Sequence, residues 1–209
     1  MKSLYELLNG NKIAGKRYSY DFTGDGDLDG WTFFDTDTGG TSAMNDSVDG
    51  GYRITSSTIS SQRCGLTWNG IKQFDALSSG MIQVTKVNSL TLTAVAMRMM
   101  NATDFDFSGL TDQYACFMQK SFHDNWHVQS KDGTTQSNTD SGVVADTNWH
   151  THKVESTSIG VKYWLDGDFL VVKTTNKPTS TKVQPTSTIS NGDATSRFFD
   201  IRYLEAYNI

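Results

Sequence analysis

The segment from Trp149 to Lys173 constrains the fold more than any other, because it predicts three consecutive antiparallel strands. Within it, Asp166-Gly167 supplies the two positive-φ positions that a two-residue hairpin turn needs. Such a turn sets which residues face each other across the hairpin: Leu165 and Asp168, Trp164 and Phe169, Tyr163 and Leu170.

Both faces of this predicted hairpin are apolar. The residues on one face are Val161, Tyr163, Leu170 and Val172, and those on the other are Trp164, Phe169 and Val171. A strand pair that is apolar on both sides cannot lie on a solvated surface. It therefore belongs to a layered β structure or presents its aromatic rings to a ligand or a neighbouring molecule.

The rest of the chain alternates short β-like runs with polar turns, from Tyr18 to Asn208. We count about ten to thirteen strands, with no crossover helix and no internal repeat. Proline occurs only at Pro178 and Pro185, and Ser, Thr, Gly and Asn are abundant. We therefore predict that residues 18–209 form one all-β domain, an antiparallel two-sheet β-sandwich or jelly roll.

A short helix is predicted in an N-terminal arm, residues 1–17. Ser3 and Glu6 have the spacing of a capping box, and the apolar stripe is formed by Leu4, Leu7 and Leu8. A helix shorter than roughly 12 residues is not stable alone in water. Its leucines must therefore dock, either on the chain's own domain or, as an assembly arm, on a neighbouring subunit.

Charge and hydropathy narrow the partners and the compartment. The net charge is −5 with no basic block, which disfavours a nucleic acid partner. No apolar run approaches the roughly 20 residues of a membrane span, and the N terminus lacks the apolar core of a signal peptide. We expect synthesis in a cytoplasm without a signal peptide, no membrane contact, and buried thiols at Cys64 and Cys116.

Three segments in order resemble a known superfamily. They are DFTGDGDLDGW at 21–31, WHTHKVE followed by VKYWLDGD within 149–168, and FFDIRYLEAYN at 198–208. They resemble the first strand, the DG hairpin and the closing strand of the concanavalin A-like lectin/glucanase sandwich. The resemblance implies a fold and hardly any chemistry, because the superfamily includes glycosidases, polysaccharide lyases, lectins, laminin-G-like modules and virion surface proteins.

The enzymatic branches of that superfamily make a test on residues possible. Its glucanases place two glutamates on one strand in an E-x-D-x-E pattern, with the carboxyl groups about 5 Å apart. The glutamates here are Glu6, Glu155 and Glu205, and no two are close in sequence. The lyase-like branch needs an Arg, a Gln-x-His and a Tyr, for which only isolated candidates exist: Arg98, His127 and Tyr203. We therefore expect that the chain is not an enzyme.

An acidic run suits a structural calcium ion. Asp25, Asp27 and Asp29 begin a D-x-D-x-D-G pattern, but the twelfth position is Thr36 instead of the bidentate acid. The resemblance implies that an acid of the final strand, Asp200, would complete the site. The run is either this calcium site or a solvated turn, and we expect no other cofactor.

Two aromatic clusters are candidates for glycan binding, because a sugar stacks on a planar ring while polar groups satisfy its hydroxyls. The first consists of Asp124, Asn125, Trp126 and His127, and the second of Trp164 and Phe169. Each ring is also suited to filling the core.

Three functions remain open on the sequence alone. The first is a non-enzymatic virion surface protein, such as a phage head-decoration or fibre-type subunit, that docks on other virion subunits or on itself through the N-terminal arm. The alternative is a carbohydrate-binding, lectin-like module that recognises surface glycans. A polysaccharide lyase or hydrolase is the least favoured.

Overall fold

The computed structural model describes residues 17–22, 31–36, 38–44, 50–68, 74–91, 93–101, 113–120, 122–179 and 182–209. Within these ranges the chain forms fifteen β-strands and no helix. In chain order they are Arg17–Asp21 (β1), Thr32–Asp35 (β2), Thr41–Met44 (β3), Tyr52–Thr55 (β4), Arg63–Thr67 (β5), Ser78–Val87 (β6), Thr93–Met100 (β7), Gln113–Lys120 (β8), Asn125–Asp132 (β9), Gln136–Val144 (β10), His150–Thr157 (β11), Val161–Leu165 (β12), Asp168–Lys173 (β13), Gln184–Asn191 (β14) and Phe198–Asn208 (β15). No helix with the length and hydropathy of a membrane span occurs in this described part.

The strands form two antiparallel sheets. Seven strands of the eight-stranded sheet have the order β13-β12-β11-β6-β15-β4-β3. The eighth strand, β1, pairs with the C-terminal half of β15, whereas β4 pairs with its N-terminal half. The seven-stranded sheet has the order β10-β9-β8-β7-β14-β5-β2. The predicted all-β, two-sheet antiparallel sandwich is therefore confirmed.

The core lies between the sheets and follows the two-residue period of the strands. Strand β11 is buried at every second residue, and its neighbour β12 buries Val161, Tyr163 and Leu165 in the same core. A hydrogen bond also crosses the core: the Tyr163 hydroxyl donates to the backbone oxygen of Gln129 at 2.6 Å. The two sheets are thus joined by a polar contact as well as by apolar packing.

The predicted hairpin is confirmed at its turn and differs further along. Asp166 and Gly167 have φ values of 53° and 94°, and Trp164 faces Phe169 as predicted. The register then shifts, so that Tyr163 faces Val171 instead of Leu170. This bulge adds one residue to β13 and reverses the facing of the later residues of that strand. Val172, which we expected on the same face as the buried Tyr163, is 41% exposed.

Three strands were not predicted from the sequence: β3, β10 and β14. Strand β14 reads QPTSTISN, a polar composition with a proline that is typical of a loop, yet it is almost wholly buried in the middle of the seven-stranded sheet. Pro185 is tolerated there because the pairing with β5 begins only at Thr186. The hydroxyls of this strand are buried because their neighbours in the sheet surround them.

The predicted N-terminal arm, with its stripe of Leu4, Leu7 and Leu8, lies outside the described residues, and β1 begins at Arg17. The prediction for the cysteines is confirmed, since Cys64 and Cys116 are both free and buried. Burial raises the pKa of the Cys64 thiol to about 12. Neither thiol is therefore set up as a nucleophile.

Candidate functional site

The outer face of the seven-stranded sheet carries a depression that crosses several strands. Its charged lining consists of Arg63, Arg98 and Lys120. Its uncharged polar lining consists of Tyr114, Gln129, Gln136, Thr188 and Ser190. The remaining lining side chains are Ala94, Ala96 and Met118.

Strand register explains why residues so distant in sequence meet here. Arg63 lies opposite Ser190, Ser190 opposite Ala94, and Ala94 opposite Lys120, which places the four in one row across β5, β14, β7 and β8. Three strand spacings of about 4.8 Å separate the ends of this row, so the Cα atoms of Arg63 and Lys120 are about 14 Å apart. The small side chains between them leave the depression open.

Arg98 lies two rows away on β7, opposite Cys116 and Thr186. Its exposed fraction is only 7%, and its guanidinium carbon is 5.6 Å from the centre of the Tyr114 ring. Burial lowers the pKa of Arg98, and repulsion from Arg63 contributes to the lowering. A guanidinium remains charged despite such shifts, so the depression contains a desolvated cation.

The outward side chains of β8 show what this face can do chemically. Ala115 and Phe117 point into the main core, while Tyr114, Cys116 and Met118 pack together on the outer side. In the described strands of this face the carboxylate is Asp140 of β10, which accepts hydrogen bonds from Asn125 at 2.9 and 3.1 Å. A pair of carboxyl groups at the spacing of a retaining glycosidase is therefore not formed by these described residues.

Two of the glutamates weighed as catalytic candidates lie on the other sheet. The Glu155 carboxylate accepts from the Tyr207 hydroxyl at 2.9 Å, and Glu205 is bonded to Tyr203 and Arg17. Both alternate with core residues of β11 and β15 and so belong to the outer face of the eight-stranded sheet. Tyr203 is thereby separated from Arg98 and His127, which lie on the seven-stranded sheet, and the three isolated lyase candidates do not converge.

The first predicted glycan cluster is divided by the alternation of strand β9. Trp126 points into the core, with 1% of its surface exposed and its ring 4.6 Å from that of His152. Its neighbours Asn125 and His127 point outward, where the His127 ring stacks on His123 at 3.5 Å. Asp124 is exposed in the loop before the strand. The expectation that Trp126 offers its ring to a sugar is wrong, because successive side chains of a strand point to opposite faces.

The second predicted glycan cluster stands on the outer face of the eight-stranded sheet. The rings of Trp164 and Phe169 meet edge to face at 5.7 Å, and Phe169 is 56% exposed. The Lys153 ammonium lies 4.5 Å from the centre of the Trp164 ring. This cluster is therefore on the opposite side of the sandwich from the depression, and its binding of a glycan stays a prediction.

The calcium prediction rests mostly on Asp25, Asp27 and Asp29, which lie outside the described residues. The fourth member, Asp200, is 2% exposed and accepts two hydrogen bonds from Arg53, at 2.7 and 2.8 Å. Its carboxylate is thus engaged in an ion pair. Over the described ranges of the chain, no three His, Cys, Asp or Glu side chains are grouped so that they could hold a metal ion.

From this face Arg98, Asn125 and His127 were candidates on the sequence alone, and Arg63, Tyr114 and Lys120 were missed. The sequence did contain a signal for β8: the residues of QYACFMQK alternate between the two faces of a strand, so they could have been divided into an inward and an outward set. The polar strand β14, which completes the floor with Thr188 and Ser190, had no such signal, because its composition resembles that of a loop.

Neither a family model nor a curated protein matches this sequence. Solved structures do resemble it. An endo-1,3-beta-glucanase (laminarinase) catalytic domain from Thermotoga petrophila is 11% identical with a TM-score of 0.66, covering 93% of this chain and 98% of its own. The apo Crh5 transglycosylase is 14% identical with a TM-score of 0.64, covering 92% and 84%. A pseudo beta-1,3-glucanase and immunostimulatory antigen of Mycobacterium tuberculosis is 12% identical with a TM-score of 0.63, covering 92% and 98%.

These likenesses overturn two expectations from the sequence. The expectation of a virion surface subunit is wrong, since the solved structures named above are a glucanase, a transglycosylase and a pseudo beta-1,3-glucanase. The expectation that the chain is not an enzyme is overturned by the same finding, because it relied on one missing glutamate pattern within a fold that these enzymes share. The resemblance stated on three sequence segments is confirmed for the fold alone: the chain is an antiparallel two-sheet β-sandwich like these solved structures.

Proposed function

We propose that this protein is carbohydrate-active and holds a glycan chain across the outer face of the seven-stranded sheet. The observation that carries the proposal is the depression between Arg63 and Lys120, which runs across the strands. Its lining combines a tyrosine ring, two glutamine amides and several hydroxyls. Such groups recognise sugars, because a ring covers the C–H face of a sugar while amides and hydroxyls pair with its hydroxyl groups.

The similar structures support this proposal without identifying the reaction. They are named as glucanases and a transglycosylase, and the likeness extends over nine tenths of this chain. The side chains on this face that can exchange protons include Tyr114, Lys120, His127 and Asp140. Cleavage of a glycan here would draw on groups of this kind.

A blocking substitution tests the proposal. Ser190→Trp would place an indole in the row between Arg63 and Ala94 and fill the depression. Thr151→Trp is the matched control, because Thr151 lies on the eight-stranded sheet at β11. Binding to a panel of polysaccharides is measured by affinity electrophoresis and calorimetry, and cleavage by new chain ends.

We expect the unaltered protein and Thr151→Trp to bind the same glycan and Ser190→Trp to lose at least about tenfold in affinity, which is about 1.4 kcal/mol. Thermal melts verify that both variants are folded. Unchanged binding by Ser190→Trp, or the absence of any binding or cleavage by the unaltered protein, would contradict the proposal.

A further inference from the structure

We infer that the depression is selective for an acidic glycan, one that carries carboxylate or sulfate groups, and that Arg63 and Lys120 hold its anionic groups. This inference rests on the proposed function, because it names the substrate class of the same site. The inference also adds to the proposed function, because the ring, amides and hydroxyls alone would suit a neutral glycan equally well.

The charge of the lining is the first argument. Of the described side chains that line the depression, three are cations and none is an anion. The whole chain has a net charge of −5, so a depression of this sign is a local departure from the acidic surface. Guanidinium and ammonium groups pair with carboxylates and sulfates through charge-assisted hydrogen bonds, which are about twice as strong as neutral ones.

The second argument is the spacing of the cations. Arg63 and Lys120 stand about 14 Å apart at the ends of one row, with Ser190 and Ala94 between them. A chain of sugars that crosses the strands would therefore pass Arg63 and Lys120 at different positions along its length. Regular charges along a polymer suit this arrangement better than a single small anion does.

Arg98 supplies a third argument. Its side chain lines the same depression and is only 7% exposed. Because a guanidinium stays protonated even when it is buried, Arg98 adds to the positive charge that Arg63 and Lys120 give the lining.

The small and polar residues around the cations favour a glycan over other polyanions. Thr188 and Ser190 contribute hydroxyls to the lining, and Gln129 contributes an amide in the row of Arg98, beyond Cys116. These groups pair with sugar hydroxyls, of which a glycan carries several on each residue.

The test compares matched acidic and neutral ligands on the full chain by calorimetry at low and high salt. The pairs are oligogalacturonate with its methyl ester, and a sulfated galactan with its desulfated form. The two pairs distinguish carboxylate from sulfate as the recognised group. The variant is Arg63→Gln/Lys120→Gln, in which both substituted side chains are partly exposed and the fold should persist.

The control variant is Lys86→Gln/Lys162→Gln, which removes the same two charges from the outer face of the eight-stranded sheet. We expect the unaltered protein and the control to prefer one acidic ligand by about tenfold or more, and salt to weaken that preference by screening. The Arg63→Gln/Lys120→Gln variant should bind acidic and neutral forms alike.

The inference fails while the proposed function stands if a neutral glycan binds, Ser190→Trp blocks that binding, and the acidic form of the same glycan does not bind more tightly. It also fails if the Arg63→Gln/Lys120→Gln variant keeps the preference, or if single-stranded DNA binds as tightly as the acidic glycan. If no glycan of either kind binds the unaltered protein, the proposed function itself fails.

Discussion

The imidazole Nδ1 of His150 lies 2.7 Å from Oδ2 of Asp166, the first residue of the hairpin turn. On its other side, Nε2 of His150 lies 2.9 Å from Oδ1 of Asp146. Both ring nitrogens can donate only when the imidazole is protonated. The two carboxylates raise the pKa of His150 although burial opposes them. This charged contact joins the turn between β12 and β13 to the loop before β11.

The first prediction concerns this contact and pH. A histidine with a raised pKa in the folded state contributes stability that is present below its unfolded pKa of about 6.5 and is lost as pH rises through the folded value. His150→Gln should therefore lower the free energy of unfolding by about 1 kcal/mol below pH 6 and by less above pH 8, since both carboxylates are half exposed. Urea denaturation at several pH values measures this, with His127→Gln as the control. A pH-independent difference would contradict the prediction.

The second prediction is that His152 destabilises the folded protein at low pH, which is the opposite of the effect of His150. His152 lies fully buried between Phe117 and Trp126, with ring centroids at 5.1 and 4.6 Å. Burial lowers the pKa of His152 to about 3, and His150 contributes to the lowering. The unfolded chain therefore binds a proton below about pH 6.5 that the folded protein excludes, and stability falls by about 1.4 kcal/mol per pH unit on acidification.

The variant His152→Leu tests that slope. Its free energy of unfolding should depend less steeply on pH between 6 and 4, whatever its absolute stability. Chemical denaturation across this range measures the slope. A slope equal to that of the unaltered protein would exclude His152 as the source of acid sensitivity.

The ion pair between Arg53 and Asp200 is predicted to be structural. The carboxylate is 2% exposed and receives two hydrogen bonds, and the guanidinium carbon also lies 3.7 Å from the centre of the Phe198 ring. Arg53→Met should cost about 3 kcal/mol, because it removes the guanidinium that donates two hydrogen bonds to a buried carboxylate. Adding Asp200→Asn should recover part of that loss in urea denaturation. If the double variant were less stable than Arg53→Met, this explanation would be wrong.

The two tryptophans proposed from the sequence as glycan platforms should differ sharply in stability tests. Trp126 is 1% exposed, so Trp126→Ala should cost about 3 kcal/mol or more. Trp164 is partly exposed beside Phe169, so Trp164→Ala should cost about 1 kcal/mol. Thermal melts compare the two variants directly. Equal losses would show that Trp164 carries as much of the packing as Trp126.

Features that depend on neighbouring residues were predictable from the sequence. The Asp166-Gly167 turn has the positive φ values expected of it, and the antiparallel sandwich follows from short apolar runs separated by turns. Local backbone chemistry decides these features, because a tight turn and its first pairs involve only a few residues. The bulge that moved Val171 opposite Tyr163 was not predictable, since it depends on how β13 packs at the edge of the sheet.

The candidate site was decided by the tertiary structure. Arg63, Arg98, Lys120 and Ser190 come from four strands that are far apart in sequence, and only the register of β5, β14, β7 and β8 makes them neighbours. The amino-acid sequence by itself determined the class of the fold and the geometry of one hairpin. The location and charge of the depression arose from long-range strand pairing, because the order of strands in a sheet depends on which apolar faces pack across the whole core.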